Sequence, residues 1–124
     1  MVKMKMISFV ATQKPASALK FYQKTLGLKL VHDDPFAIVF DANGTMLRVQ
    51  KVQDLIPAKH TILGWEVPDL LAKVRHLAKK GVHFERYEGM GQDKSGIWKS
   101  PTGAQVAWFK DPDGNTLSLV QFPS

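Results

Sequence analysis

The stretch FKDPDGNTLSL, Phe109–Leu119, decides the fold, because FDANGTMLRV, Phe40–Val49, carries the same pattern earlier in the chain. Each has a Phe, an Asp, a turn that ends in Gly, and then an alternating strand. Strict alternation sends successive side chains to opposite faces of a sheet. Asn43-Gly44 favours a tight two-residue hairpin. Asp111 and Asp113 flank Pro112 and precede Gly114, which is the chemistry of a turn rather than of a catalytic carboxylate pair.

Outward from these hairpins the two halves continue to match. Lys5–Thr12 reads as a strand, with Met6, Ser8 and Val10 on one face and Ile7, Phe9 and Ala11 on the other. Lys14-Pro15 starts a helix, since proline fits the first turn. Leu19, Tyr22 and Leu26, widened by Ala18 and Phe21, give Ala16–Leu26 a helical stripe. Gly27 stops it. Strands are expected at about Lys29–His32, Phe36–Asp41 and Met46–Val52. Gln53–Lys59, with Pro57, looks like a linker.

The pattern then restarts. Thr61–Val67 reads as a strand, and Pro68-Asp69 opens a helix through Lys80, striped by Leu70, Leu71, Val74, Leu77 and Ala78. Gly81 stops it. Further strands are expected at Val82–Tyr87, Ile97–Ser100, Ala104–Lys110 and Thr116–Phe122, with Glu88–Gly96 as an exposed loop. The expectation is a single α+β domain of two β-α-β-β-β modules. Module one covers about residues 1–52, the linker 53–59 and module two about 60–124. A repeat of about 55 to 70 residues marks a duplicated unit. One such unit has a sheet face that it cannot cover alone, so pairing two is expected to leave a concave mixed sheet.

Composition excludes several function classes. The chain has 124 residues, 44% hydrophobic and 23% charged, which is a globular balance. It has no cysteine, so disulfides, thiolate nucleophiles and cysteine metal sites are out. No apolar run approaches the roughly 20 residues of a membrane helix. The start, MVKMKMISFV, is too short in its apolar run for an export signal, so a cytoplasmic location is expected. A net charge of +6 attracts anions. The basic residues are scattered, however, and no helix-turn-helix, zinc finger or RNA-binding aromatic motif accompanies them, so no nucleic acid partner is expected. There is no nucleophile elbow and no phosphate-binding loop.

The segments ALKFYQKTLGLKL (Ala18–Leu30), GWEVPDLLAKVRHLAKKGVHF (Gly64–Phe84) and VAWFKDPDGNTLSLVQF (Val106–Phe122) resemble the vicinal-oxygen-chelate superfamily. That superfamily contains glyoxalase I, bleomycin-resistance proteins, fosfomycin-resistance proteins and extradiol dioxygenases. The resemblance implies a metal held by His and Glu, one from each of four strands. Imidazole and carboxylate suit zinc, nickel, iron or manganese, and open positions let the metal polarise a substrate oxygen. Counted from the motifs, the four positions fall on Ile7, Arg48, Ile62 and Ser118, none of which is such a ligand. The histidines His32, His60, His76 and His83 supply no alternative set. His60, two residues before Ile62 and on the same face by alternation, is the only one placed to approach these positions, and the sequence offers it no partner ligands. No metal and no cofactor are therefore expected.

The resemblance turns these positions toward the concave face, where Phe9, Gln50, Gly64 and Val120 lie two residues further on. The candidate ligand-binding residues are Ile7, Phe9, Arg48, Gln50, Ile62, Ser118 and Trp98, the last because it follows a glycine-rich loop. Arg48 either grips a carboxylate or phosphate through its planar fork or serves the sheet structurally. Two functions remain. One is a metal-independent binding protein of the bleomycin-resistance type, a homodimer taking a neutral or acidic small molecule. The other is a glyoxalase-like or dioxygenase-like enzyme with a site not recognisable from these residues.

Overall fold

The computed structural model describes residues 3–124; Met1 and Val2 lie outside it. The chain divides into two compact units, Met1–Ile56 and Pro57–Ser124.

In the first unit, β1 (Ile7–Thr12) leads into α1 (Pro15–Lys20), with Pro15 in the first helical turn. The helix does not continue as an α-helix to Leu26. It loosens at Phe21–Thr25 into a π-helical turn, closed where the Leu26 N–H donates to the Phe21 carbonyl at 2.9 Å. Gly27, at φ +76°, ends it. Tyr22 is fully buried on this helix and lies 6.0 Å, ring to ring, from Phe40.

The remaining strands are β2 (Lys29–Asp33), β3 (Ala37–Ala42) and β4 (Thr45–Lys51), in the sheet order β1-β4-β3-β2. The β3–β4 hairpin turns at Asn43 and Gly44, both with positive φ, as a type I′ turn requires. The Asp41 carboxylate accepts from the Gly44 N–H at 2.8 Å and braces the turn. β1 pairs parallel to β4, and the other pairs are antiparallel. Val10, Leu47, Val49, Ile38 and Phe40 are buried on one face, and Ala37 and Val39 are buried on the other.

The second unit repeats the plan with β5 (Leu63–Glu66), α2 (Leu70–Lys79), β6 (Trp98–Lys99), β7 (Gln105–Lys110) and β8 (Thr116–Gln121), ordered β5-β8-β7-β6. The Asp69 side chain caps α2 by accepting from the Ala72 N–H at 3.1 Å. The Gln121 side chain accepts from the Leu70 N–H at 2.8 Å and satisfies another orphan donor. The buried stripe of α2 is Leu70, Val74 and Leu77. Leu71 and Ala78, expected within it, are exposed, because a helix lying on one sheet buries only one narrow face.

The edge strand departs from expectation. Val82–Tyr87 is not a strand. Phe84 makes a single bridge to Phe109, the Glu85 N–H donates to the Trp108 carbonyl at 2.8 Å, and the chain then leaves the sheet. Pairing resumes at Trp98, opposite Val106. The loop between is held by Gln92. Its amide donates to the carbonyls of Glu85 (2.9 Å) and Gly96 (2.8 Å) and accepts from the Tyr87 N–H (2.7 Å).

β5 runs against β8 at one unusually close point. A Cβ on Gly64 would sit 2.9 Å from Ser118 Oγ and 3.3 Å from the Ser118 carbonyl oxygen. An added Cβ would force Ser118 to shift, so the constraint at this position is one of space rather than of backbone angle. Gly64→Ala is expected to destabilise the second unit by about 1–3 kcal/mol through overpacking. Denaturant unfolding measures this, and Gly64→Ala combined with Ser118→Gly is expected to recover part of the loss.

Candidate functional site

The two sheets share one register. Phe40 stands opposite Leu47 in the first, and Phe109 stands opposite Leu117 in the second. One residue on, Arg48 and Ser118 therefore occupy equivalent positions. Arg48 lies between Phe9 and Val39, while Ser118 lies between Gly64 and Trp108. Ile7 is opposite Met46, and the Ile62 N–H donates to the carbonyl of Thr116, the residue equivalent to Met46, at 3.0 Å. Ile7 and Ile62 thus correspond as well.

In the first unit, Ile7, Phe9, Arg48 and Gln50 share the sheet face turned away from α1, since neighbours across a ladder and alternate residues along a strand point the same way. Ile7 is 43% and Phe9 50% exposed, Gln50 is exposed, and Arg48 is half-buried. Among the described residues no hydrogen bond or ion pair engages the Arg48 guanidinium. A half-buried guanidinium that no protein group bonds must take its hydrogen bonds from solvent or from a solute.

In the second unit, Ser118 and Trp98 lie on the corresponding face, turned away from α2, and Ile62 immediately precedes β5. Ser118 is only 5% exposed. Trp98 stacks at a tilt on Trp108, with centroids 6.0 Å apart, and the Tyr87 ring meets Trp108 edge-on at 5.5 Å. Trp108 and Tyr87 had no place in the candidate set. Tyr87 owes its position to the Gln92 brace, a contact across five residues that sequence alternation does not signal. Trp65 pairs with Leu119, on the face that turns toward α2, and is half-buried.

The donor chemistry does not fit a family metal. Ile7, Arg48, Ile62 and Ser118 offer no imidazole or carboxylate. Among the described residues no three His, Cys, Asp or Glu side chains gather closely enough to hold an ion. All four histidines are exposed. His32 bonds to the Asp34 carboxylate at 2.8 Å. The Phe36 N–H, then His32, then the Ala37 N–H hold the Asp34 carboxyl down at about 2. Asp111 is occupied by its turn: its carboxylate accepts from the backbone of Asp113 and Asn115 and from the Asn115 side chain. No helix among the described residues is long and apolar enough to cross a membrane.

Comparison with solved structures finds the same fold repeatedly. A lactoylglutathione lyase from Agrobacterium tumefaciens is 17% identical, with a TM-score of 0.75 over 98% of this chain and 95% of that one. A superfamily member from Sphaerobacter thermophilus is 23% identical, with a TM-score of 0.74 over 97% and 98%. A glyoxalase/bleomycin resistance protein/dioxygenase from Alicyclobacillus acidocaldarius is 16% identical, with a TM-score of 0.71 over 98% and 93%. No curated protein matches by sequence. The family model for the glyoxalase/bleomycin resistance protein/dioxygenase superfamily matches residues 4–119, nearly the whole of the repeat described above. The chain belongs to the glyoxalase/bleomycin resistance protein/dioxygenase superfamily.

Proposed function

We propose that this chain is a metal-independent small-molecule binding member of its superfamily, a homodimer of the cytoplasm whose ligand is neutral or acidic. The observation that carries the reading is Arg48, half-buried beside Phe9 and without a partner among the described residues. Ile7, Phe9, Arg48 and Gln50 carry the ligand contacts of the first module, and Ile62, Trp98 and Ser118 those of the second. The apolar side chains suit a flat or hydrocarbon body, and the guanidinium suits one acidic group. A net charge of +6 disfavours a cationic ligand of the bleomycin kind. The two modules act as one domain in this reading.

Arg48→Ala is expected to abolish binding of an acidic ligand while leaving the fold intact. The cost is about 2–5 kcal/mol in affinity if the contact is desolvated. Arg48→Lys restores part of it, because an ammonium lacks the bidentate fork. A thermal-shift screen of small carboxylic and phosphoric acids on both variants checks this. Equal stabilisation of wild type and Arg48→Ala by every acid that binds would assign Arg48 a structural role.

Elemental analysis of protein purified without chelator is expected to find no stoichiometric metal. One equivalent of zinc, nickel, iron or manganese would overturn the metal-free reading and favour an enzyme.

Light scattering is expected to give twice the mass of the chain, with exposed Phe9, Phe36 and Met46 among the apolar side chains available to an interface. A monomer at high micromolar concentration contradicts this.

A further inference from the structure

Each unit has a hollow at the same place in its plan, with a different balance of charge. In the first unit a cavity of about 390 Å³ is lined by Lys5, Met6, Ile7, Val31, Asp41 and Met46, among others. In the second a cavity of about 350 Å³ is lined by Pro57, Ala58, Lys59, Tyr87, Lys110 and Gly114. Each is bounded by the end of the third strand, the turn that follows it, and the segment ahead of the first strand. Asp41 and Lys110 are equivalent, since each directly follows the Phe of the shared register. Gly44 and Gly114 are the equivalent turn glycines.

The change from Asp41 to Lys110 at the equivalent position has a local cause. In the first hairpin the residue after Phe40 must brace the turn, and Asp41 does so through the Gly44 N–H. The second turn is longer. Its bracing carboxylate is Asp111, one position later, which accepts from the Asp113 and Asn115 N–H groups. Lys110 is thereby released from turn duty and lines the cavity with Lys59. The ion pair of Lys110 with Glu85 is loose, at 3.9 Å, and half-exposed, so it neutralises the lysine weakly. Lys59 makes no hydrogen bond or ion pair among the described residues. Burial first, and the Glu85 charge second, push the Tyr87 phenol up, which keeps it a proton donor. The Gln92 brace holds the Tyr87 backbone, and Trp108 packs against its ring.

We propose that this hollow, formed by Lys59, Lys110 and Tyr87 at the β7–β8 turn, is a second binding site that takes a small oxyanion. The two ammonium groups hold the charged oxygens, Tyr87 adds a phenol to the lining, and Pro57 and Ala58 give an apolar wall for the body that carries the anion. The site is separate in its residues from Arg48 and does not depend on the reading of Arg48.

The test is an amide-shift titration of the ¹⁵N-labelled chain at constant ionic strength, with inorganic phosphate in one arm and benzoate in the other. Saturable shifts at Lys59, Tyr87, Lys110 and Gly114 are expected in at least one arm, and the arm that saturates says whether a phosphate or a carboxylate is preferred. Lys59→Ala and Lys110→Gln are each expected to weaken binding about tenfold, and Arg48→Ala to leave it unchanged. These lysines are exposed, so an unchanged spectrum elsewhere verifies the fold of each variant. Linear drift in both arms, or saturation that survives both lysine substitutions, overturns the proposal. So does saturation that Arg48→Ala abolishes.

Discussion

Each module is organised by a parallel pairing between its first strand and its last. Two strands can be parallel only if the chain crosses over between them, and here a helix makes the crossing. The last strand must then sit inside the sheet, flanked by the first strand on one side and by its own hairpin partner on the other. That is the order β1-β4-β3-β2, and again β5-β8-β7-β6. The helix covers one face, where Tyr22 packs with Phe40, and where Leu70, Val74 and Leu77 are buried. The other face carries Ile7, Phe9, Arg48 and Gln50 in the first unit and Trp98, Trp108 and Ser118 in the second.

Because the pairing is the same in both modules, differences between equivalent positions show how the copies diverged. The first copy is bulky and charged along its key row, with Phe9, Arg48 and Val39. The second is small and aromatic, with Gly64, Ser118 and Trp108. These choices are coupled by sterics. Gly64 allows Ser118 a close approach that a Cβ would forbid. A Phe, as at the equivalent position 9, could not stand there without displacing the serine.

The second copy also interrupts its edge strand, which an edge tolerates better than a central strand because only one neighbour loses pairing. The interruption is ordered. One glutamine supplies three hydrogen bonds across the base of the loop and returns the chain to the sheet at Trp98. Tyr87 and Trp98, eleven positions apart in sequence, consequently both pack against Trp108.

What the amino-acid sequence determined by itself was local or repetitive: strand alternation, the Pro15 start, the Gly27 and Gly81 stops, the Asn43-Gly44 turn, and the doubling of the whole pattern. These rest on backbone sterics and on side-chain period, which operate over a few residues. The lack of metal donors at Ile7, Arg48, Ile62 and Ser118 was also legible, because donor chemistry is a property of the residue itself. Tertiary structure decided what depends on register between distant segments. Leu71 and Ala78 are apolar yet exposed, since the width of the buried stripe is set by the sheet beneath α2. Val82–Tyr87 has strand composition but only one bridge, since pairing is set by its neighbour. The burial of Ser118, the tight space at Gly64, and the placing of Lys59 and Lys110 along one hollow join residues roughly 50 positions apart. No local pattern encodes such distances; only the parallel crossover brings those residues together.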